Sequence, residues 1–426
     1  MTPETALSRD GGPDRGRDSA SGRSRDSAFG RDRDRVPERD REGVAPSGGA
    51  SRRFPVTVRA GSPAHRGLRL ALLAVAALLL VAGSYAEPFR VGQFTSVLIF
   101  AIAISGLNLA TGYTGLLSIG HSAFFGLGAY TTGVLVVSYG AAPMSTIPVA
   151  VVLCFLLGLV VGLPALRIRG LYLALVTLAV GVAFPEIVRR FEDFTGGAAG
   201  LVIRSRQLGP PEWTGLTVGQ RGLWLYWVSV AALVLVLVLV RNLTRSRLGI
   251  AMIATRDNEI AAAASGVRLA TIKTGVFGIS GAVTGLAGSL FAMYVGALSP
   301  DGSFTLLKSI ELITGLFLGG AATLFGPVVG ALAVVYLPYF TSDLASGHVS
   351  GVLFGAILIA IVFLMPQGIA GVLGRLAGRV VHVDPATGDG HRAAPPPDDA
   401  PPPDDAPPPG GDAASPPTSD TLGERT

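Results

Sequence analysis

Long apolar stretches alternate with polar connections through the middle of the chain, from about residue 68 to about residue 368. Most of them are close to the roughly 20 residues that an α-helix needs to cross the ~30 Å hydrocarbon core of a bilayer. Between two of the stretches, Gly326-Pro327 marks either a turn or only a kink. The pattern predicts an all-α integral membrane protein with about ten transmembrane helices, at residues 68–86, 93–111, 116–139, 146–166, 171–191, 222–240, 271–298, 306–325, 327–342 and 349–368.

Charged residues are scarce in this chain and unevenly placed. They make up 15% of the 426 residues, whereas a soluble domain has about a quarter. Most lie before Leu68, between Arg241 and Lys273, or after Gly374. The net charge of +5 does not indicate nucleic-acid binding, because the basic residues are mixed with Asp in a tail or lie near the ends of predicted spans. The only cysteine, Cys154, excludes an intramolecular disulfide.

Both ends of the chain differ in composition from the apolar middle. Residues 1–67 are rich in Arg, Asp, Ser and Gly, and residues 381–426 are rich in Pro, Asp and Ala. Such segments bury too little apolar surface to offset the entropy lost on ordering. We therefore predict disordered N- and C-terminal tails on either side of a polytopic domain over residues 68–380.

The longest basic connection between predicted spans is residues 241–273. Lys and Arg gather on the cytoplasmic side of membrane spans, which predicts that this loop, Arg167, Arg169 and both termini are cytoplasmic. Residues 192–221 are then predicted to form a folded loop outside, although that loop contains arginines.

A short helix is predicted inside the basic loop, over Arg256–Ser265. Thr255 or Asp257 is a candidate cap for its start, and Glu259 falls in the first turn, where the helix dipole favours an anion. The alanines that follow are strong helix formers and leave a smooth face. Gly266 is a natural stop. We predict a knob-like helix that seats in a groove on a partner; an ordinary solvated loop helix is the alternative.

Small residues recur at helical spacing within the spans, a pattern that lets helices approach closely in lipid. The pairs are Gly158 and Gly162, Gly281 and Gly285, Gly315 and Gly319, and Gly326 and Gly330. A faint internal repeat also links Thr111–Gly115 with Thr284–Gly288, and Gly-interrupted segments at matching positions can mark a transport path. Breaks in the helices at these two strings would suit a zwitterion with an apolar side chain.

Amide and ionisable groups inside spans are costly and therefore candidate functional groups. Structural roles remain open for each of them. Asn108 and His121 can hydrogen-bond neighbouring helices, Glu186 can pair with nearby arginines, and Glu311 can pair with Lys308. The candidate path residues are Asn108, Thr111, Gly112, Gly115, His121, Thr284, Gly285 and Gly288.

Several blocks of sequence, in order, resemble one transport family over about residues 90–375. They read SGLNLATGYTGLLSIGHSAFFGLGAYTTG from Ser105, RIRGLYLALVTLAVGVAFPEIVRRFEDFTGGAAGL from Arg167, SRLGIAMIATRDNEIAAAASGV from Ser246, LFLGGAATLFGPVVGA from Leu316 and LMPQGIAG from Leu364. The chain resembles the permease subunits of branched-chain amino-acid ABC importers. The GHSAFFGLGAY and LYLALVTLA blocks are more similar to the LivM-type subunit than to its LivH-type partner.

The resemblance implies that the chain is a permease with a LivH-type second permease subunit, two cytoplasmic ATPases and an extracytoplasmic substrate-binding protein as partners, in the bacterial plasma membrane. The chain lacks a G-x-x-x-x-G-K-[ST] phosphate loop, so ATP is expected on the partner subunits. We predict no catalytic residue, no metal and no cofactor in this chain. The resemblance assigns the basic loop to ATPase coupling, through Arg256, Asp257, Glu259, Ala261, Ala262 and Gly266. Its match to the general EAA-Gly pattern of ABC importers is loose, because Ile260 follows Glu259 and Gly266 comes one residue late.

Other functions remain open from the sequence. A permease of the same family for urea or short amides is hardly separable from an amino-acid permease. An ion-coupled secondary transporter is disfavoured by the scarcity of charges within the spans. An enzyme embedded in the membrane is disfavoured because the histidines are scattered, with no nucleophile–base pair or metal-ligand cluster in view.

Overall fold

The computed structural model describes residues 56–59, 81, 83–166, 170–344, 348–364, 368–372 and 381–384. Most of the predicted span at 68–86 and most of both predicted tails lie outside the described residues. The helices of the described part are α1 Pro88–Leu107, α2 His121–Tyr139, α3 Pro143–Gly162, α4 Leu171–Arg190, α5 Glu192–Thr195, α6 Arg221–Arg245, α7 Arg247–Asp257, α8 Glu259–Ala264, α9 Leu269–Val295, α10 Pro300–Ser303, α11 Leu306–Gly319, α12 Gly326–Leu344 and α13 His348–Leu364.

Seven helical segments among the described residues are long and apolar enough to cross a membrane. They are Pro88–Tyr113, His121–Tyr139, Pro143–Leu166, Tyr172–Arg190, Val218–Arg245, Leu269–Val295 and Pro300–Gly319. The helical segment Gly326–Ser342 is apolar but shorter. The chain is thus an all-α multi-pass membrane protein, while the count of ten spans stays a prediction.

Two predicted boundaries were wrong, for one shared reason. The third span was predicted to begin at residue 116, but α2 begins at His121, because the connection from Thr114 to Gly120 is non-helical. The eighth was predicted to reach residue 325, but α11 ends at Gly319 and a turn separates it from α12. Hydropathy does not distinguish a buried non-helical connection from the helix beside it. Of the two possibilities at Gly326-Pro327, a turn or a kink, the structure shows a turn, which ends where α12 begins at Gly326.

In the part of the chain that the structure describes, two short strand pairs accompany the helices. In one, β2 (Leu201–Val202) pairs antiparallel with β3 (Ala297–Leu298) and joins the folded segment before α6 to the end of α9. In the other, β1 (Val56–Arg59) pairs in parallel with β4 (Val381–Asp384). This second pair falls within the segments predicted to be disordered, and the other residues of those segments lie outside the described part.

Helices α9 and α1 form the centre of the packing. Both are mostly buried, and α9 packs along α3, α2 and α1. The eight glycines of the four predicted pairs all lie where a Cβ atom would come within 3.0 Å of a neighbouring atom. The prediction that these pairs allow close helix approach is therefore confirmed. Backbone proximity of this kind holds helices together where the solvent is as apolar as the side chains.

Candidate functional site

The basic loop is folded into two helices that meet at Asn258. Asn258 has an extended backbone, with φ −159° and ψ 106°, and its Oδ1 atom accepts hydrogen bonds from the N–H groups of Ile260 and Ala261. This is an N-cap that stabilises the start of α8. The predicted single helix over Arg256–Ser265 and its predicted caps were wrong. Thr255 lies inside α7 with its hydroxyl bonded to the Ala251 carbonyl, and Asp257 ends that helix.

The end of α8 is closed by Gly266, as the sequence predicted. The Gly266 N–H donates to the Ala263 carbonyl, and the Val267 N–H donates to the Ala262 carbonyl. This is a Schellman closure, which requires a left-handed residue, and Gly266 has φ +85°. Glu259 stands in the first turn of α8. The six-residue helix is therefore fixed at both ends.

One face of α8 packs against the protein and the other is open. Ala262 is 4% exposed, whereas Ile260 is 74% exposed and the neighbouring alanines are also exposed. An isoleucine at this exposure on a rigid, fixed helix forms an apolar knob that a groove on another protein can take. We call α7, Asn258 and α8 the coupling segment.

A deeply buried lysine ties the coupling segment to α9. The Lys273 Nζ atom lies 2.7 Å from the Glu259 Oε1 atom and 3.4 Å from the Ala165 carbonyl oxygen. The Lys273 side chain is only 3% exposed. Sequence reasoning missed this lysine as a site residue, although a cation at the very start of a long apolar run was a visible signal.

A second tie runs from the coupling segment to the end of α1. Arg256 Nη1 donates to the Gly112 carbonyl at 3.4 Å and also pairs with Asp257 at 3.0 Å. The Arg256 Cγ atom lies so close to Gly115 that a Cβ atom there would come within 2.8 Å of it. The cationic side chain therefore lies directly against the segment from Gly112 to Gly115, which follows α1.

The end of α1 is a break in regular helix. Beyond Leu107 the chain continues as a π-helix over Asn108–Tyr113, a form often found at functional sites. Gly115 then takes φ +72°, and the Thr111 hydroxyl donates to the Leu116 carbonyl at 3.1 Å. The prediction of a helix break near Thr111–Gly115 is confirmed.

Asn108 connects this break to the turn between α11 and α12. Its Nδ2 donates to the Thr323 carbonyl at 2.9 Å, and its Oδ1 accepts from the Ala322 N–H at 2.8 Å. Ala322 is the only non-glycine residue with positive φ among the described residues, at 58°. Such a conformation persists where its surroundings fix it. Asn108 therefore hydrogen-bonds a turn, whereas the sequence had suggested a hydrogen bond to a neighbouring helix.

The second predicted break does not exist. Thr284–Gly288 lies within the continuous helix α9. The Thr284 hydroxyl donates to the Ser280 carbonyl, and Gly285 and Gly288 lie against α3 and α2 respectively. Sequence similarity to Thr111–Gly115 did not predict this, because the TGxxG pattern serves close packing in one place and a helix end in the other.

His121 lies in a closed polar cluster beside these residues. Its Nδ1 is 2.7 Å from the Ser118 hydroxyl and its Nε2 is 2.8 Å from the Ser280 hydroxyl, which itself donates to the Gly106 carbonyl at 2.6 Å. Since Ser280 has used its proton, the imidazole Nε2–H donates to Ser280 and Nδ1 accepts from Ser118. Both ring nitrogens are therefore hydrogen-bonded, which matches the predicted structural role of His121 in bonding its neighbours.

The remaining charged candidates form local ion pairs. Glu186 pairs with Arg189 at 2.7 Å, and Arg189 also pairs with Asp301. Glu311 pairs with Lys308 at 2.6 Å. Both local pairings were predicted and are confirmed. Within the described part of the chain, no group of three or more His, Cys, Asp or Glu residues is placed to hold a metal ion.

Comparison with known proteins gives a consistent picture. Residues 90–362 match the family described as branched-chain amino acid transport system, permease component. The chain is 31% identical, over 70% of its length and 74% of the relative's, to the high-affinity branched-chain amino acid transport system permease protein LivM of Escherichia coli K12. It is 24% identical to a probable LivM of Methanocaldococcus jannaschii, over 67% of this chain and 86% of that one.

A relative with a different printed substrate also matches. The autoinducer 2 import system permease protein LsrC of Salmonella typhi is 26% identical, over 66% of this chain and 82% of that protein. No solved structure matches this chain.

Proposed function

The chain belongs to the family of permease components of branched-chain amino acid transport systems, and we propose that it imports branched-chain or related hydrophobic amino acids. As an ABC-transporter permease, it is a transport protein and not an enzyme. Its likeness to LivM proteins across most of the chain supports this substrate class. In this proposal, its partners are a LivH-type permease subunit, two cytoplasmic ATPases and an extracytoplasmic substrate-binding protein. ATP is bound by the ATPases, and this chain carries no cofactor.

The coupling segment supports an ATP-driven mechanism, and it is the observation on which the proposal chiefly depends. α8 presents an exposed apolar residue, Ile260, on a helix that is fixed by Asn258 and Gly266. A knob of this kind suits a groove on an ATPase. The arginines around α7 support a location of this end of the molecule at the cytoplasmic face, because Lys and Arg gather on that side of spans. We propose the plasma membrane as the location, with both termini in the cytoplasm.

The two ties from the coupling segment suggest how ATPase movement reaches the membrane helices. A displacement of α8 pulls on Lys273 at the start of α9 and, through Arg256, on the Gly112–Gly115 break. Asn108 carries the displacement from the break to the turn before α12. A helix break that is held by only a few hydrogen bonds is an element that can take two arrangements, which coupling between distant sites requires.

Replacing Arg256 by alanine tests this route. We expect substrate uptake to fall about twofold to thirtyfold, the range for a coupling energy of roughly 0.5–2 kcal/mol. The ATPase subunits should still co-purify, because the α8 knob is unchanged. The matched control is Arg247→Ala, which removes an exposed arginine at the other end of α7. Uptake by Arg256→Ala equal to that of Arg247→Ala would exclude the route.

The proposed substrate and the proposed contact of α8 with the ATPase can be tested together in cells that lack this gene. Labelled leucine, labelled urea and autoinducer 2 are supplied to cells complemented with the wild type or with Glu259→Arg plus Gly266→Trp. We expect leucine uptake with the wild type only, at equal amounts of both proteins in the membrane. Restoration of urea or autoinducer 2 uptake instead would replace the substrate class. Full leucine uptake by the double variant would exclude α8 as the contact with the ATPase.

A further inference from the structure

Helix α11 carries an ion pair that the transport route described above does not use. Lys308 Nζ lies 2.6 Å from Glu311 Oε2 and 4.9 Å from the centroid of the Phe100 ring. The Lys308 side chain is 16% exposed, so it is held mostly inside the fold, but the Glu311 side chain is 42% exposed. The carboxylate therefore lies at the outer surface of the helix bundle.

This carboxylate lies near the middle of the membrane-crossing part of the fold. One end of the α10–α11 segment is marked by Asp301, which pairs with Arg189 in the last turn of α4. The other end is marked by Ala322, which Asn108 binds next to the break that Arg256 contacts. Glu311 lies about halfway along the sequence between Asp301 and Ala322. Within the candidate span Pro300–Gly319, Glu311 therefore stands near the middle.

Lipid is a poor neighbour for such a group. A carboxylate in the middle of a bilayer is costly, and charged residues in spans almost always face protein or water. The exposed faces of two other helices offer a comparison, because α3 exposes Val152 and Leu156, and α6 exposes Val234 and Leu235, with no acid or base among the exposed residues at mid-helix. Those faces suit lipid, whereas the α11 face does not.

The exposed residues that accompany Glu311 on its own helix are mostly apolar. Helix α11 packs against both α4 and α13. On α11, Leu307, Ile310 and Phe317 are exposed along with Glu311, and the neighbouring α4 exposes Leu175 and Val182. A paired charge among exposed apolar side chains can be buried against another subunit when a group on that subunit hydrogen-bonds the charge.

We infer that the second permease subunit covers the α4–α11 face, and that a hydrogen-bond donor on that subunit binds the Glu311 carboxylate. This inference rests on the proposed function, which supplies a second permease subunit. It identifies the surface of this chain that forms the contact, and it gives the Lys308–Glu311 pair the role of fixing the register between the two subunits. A single polar contact within an apolar interface can specify register in this way.

Photo-crosslinking in the assembled transporter tests the covered face. In a Cys154→Ala background, Ile310→Cys is labelled with a benzophenone maleimide before assembly and irradiated in membranes. We expect a crosslink to the second permease subunit. The matched control is Val152→Cys on α3, which is similarly exposed and is expected to give no subunit crosslink. No crosslink from Ile310→Cys, or an equal one from Val152→Cys, overturns the inference.

Removal of the ion pair tests its role. In Lys308→Met plus Glu311→Leu, both charges are replaced by apolar groups, so no charge is left alone. We expect about tenfold less second permease subunit to co-purify with an equal amount of this chain, because the donor on the partner loses its acceptor. Unchanged or greater co-purification would mean that lipid, and not a subunit, covers this face, and would overturn the inference.

Three further outcomes separate the inference from the proposed function. If a small, membrane-impermeant thiol reagent modifies Ile310→Cys in the assembled complex as fast as in the isolated chain, the face lines an open aqueous path and the inference fails. If the wild-type chain purifies with no second permease subunit, the proposed function fails. If the wild-type complex purifies and imports leucine but Ile310→Cys forms no crosslink, only the inference fails.

Discussion

Replacing Gly288 by alanine is expected to destabilise the folded protein by roughly 2–3 kcal/mol, near the upper end for overpacking a tight site. A Cβ atom at this position would lie 1.9 Å from the Phe125 carbonyl oxygen and 3.0 Å from the Ala129 nitrogen. These are backbone atoms of α2, which side-chain rotation does not move away. Helices α9 and α2 would have to separate, at the centre of the fold.

The control for this variant lies on the same helix. Gly275→Ala adds the same methyl group where nothing lies within 4 Å. There, alanine is expected to be neutral or to stabilise the helix by up to about 1 kcal/mol, because it is the better helix former. A general effect of losing glycine from α9 would lower stability in both variants, and that result would contradict the packing argument.

The single cysteine provides the measurement. Cys154 is fully buried against α2 and α9, so a fluorogenic maleimide reacts with it only when the protein opens. We expect the midpoint of thermal unfolding to fall by roughly 5–10 °C for Gly288→Ala. For Gly275→Ala we expect it to stay unchanged or to rise by up to about 4 °C. An unchanged midpoint for Gly288→Ala would mean that α2 and α9 are not packed as tightly as described.

Replacing Lys273 by methionine is expected to lower transport at least about tenfold. The substitution removes the ammonium group that lies 2.7 Å from the Glu259 carboxylate. The Glu259 side chain is 23% exposed. Breaking a buried ion pair costs roughly 3–5 kcal/mol, and the partial exposure of Glu259 lowers this to roughly 2–3 kcal/mol. The expected result is release of α8 from α9, with weaker retention of the ATPases.

A second substitution is expected to restore much of this loss. In Glu259→Gln plus Lys273→Met, no charge is left without its partner, and a neutral pair of similar size is tolerated in place of a buried ion pair. Uptake of leucine and recovery of ATPase subunits are measured for both single variants and the double variant. Arg268→Met, which removes an exposed cation at the start of the same helix, is expected to behave like the wild type. Equal uptake by Lys273→Met and Arg268→Met would show that the ion pair is not needed.

The candidate site was only partly predictable from the sequence. The location of the coupling segment and its stop at Gly266 were predicted, because a polar interruption and a left-handed glycine are local signals. The start of α8 was not predicted. Thr255, Asp257 and Asn258 are all good capping residues, and the choice depends on which one leaves helical geometry. Asn258 does so because Thr255 is packed inside α7 and Glu259 is bound by Lys273.

By itself, the sequence determined that the chain is an all-α membrane protein, where most helices lie, and the local ion pairs of Glu186 and Glu311. Hydropathy and the three-residue spacing along a helix act between near neighbours and need no knowledge of the fold. The tertiary structure alone decided which similar segments became breaks and which became packed helix, as Thr111–Gly115 and Thr284–Gly288 illustrate. It also joined residues far apart in the chain, through Asn108 with Ala322 and Arg256 with Gly112. Such contacts depend on which surfaces the packed helices bring together, and no periodicity in the sequence records that.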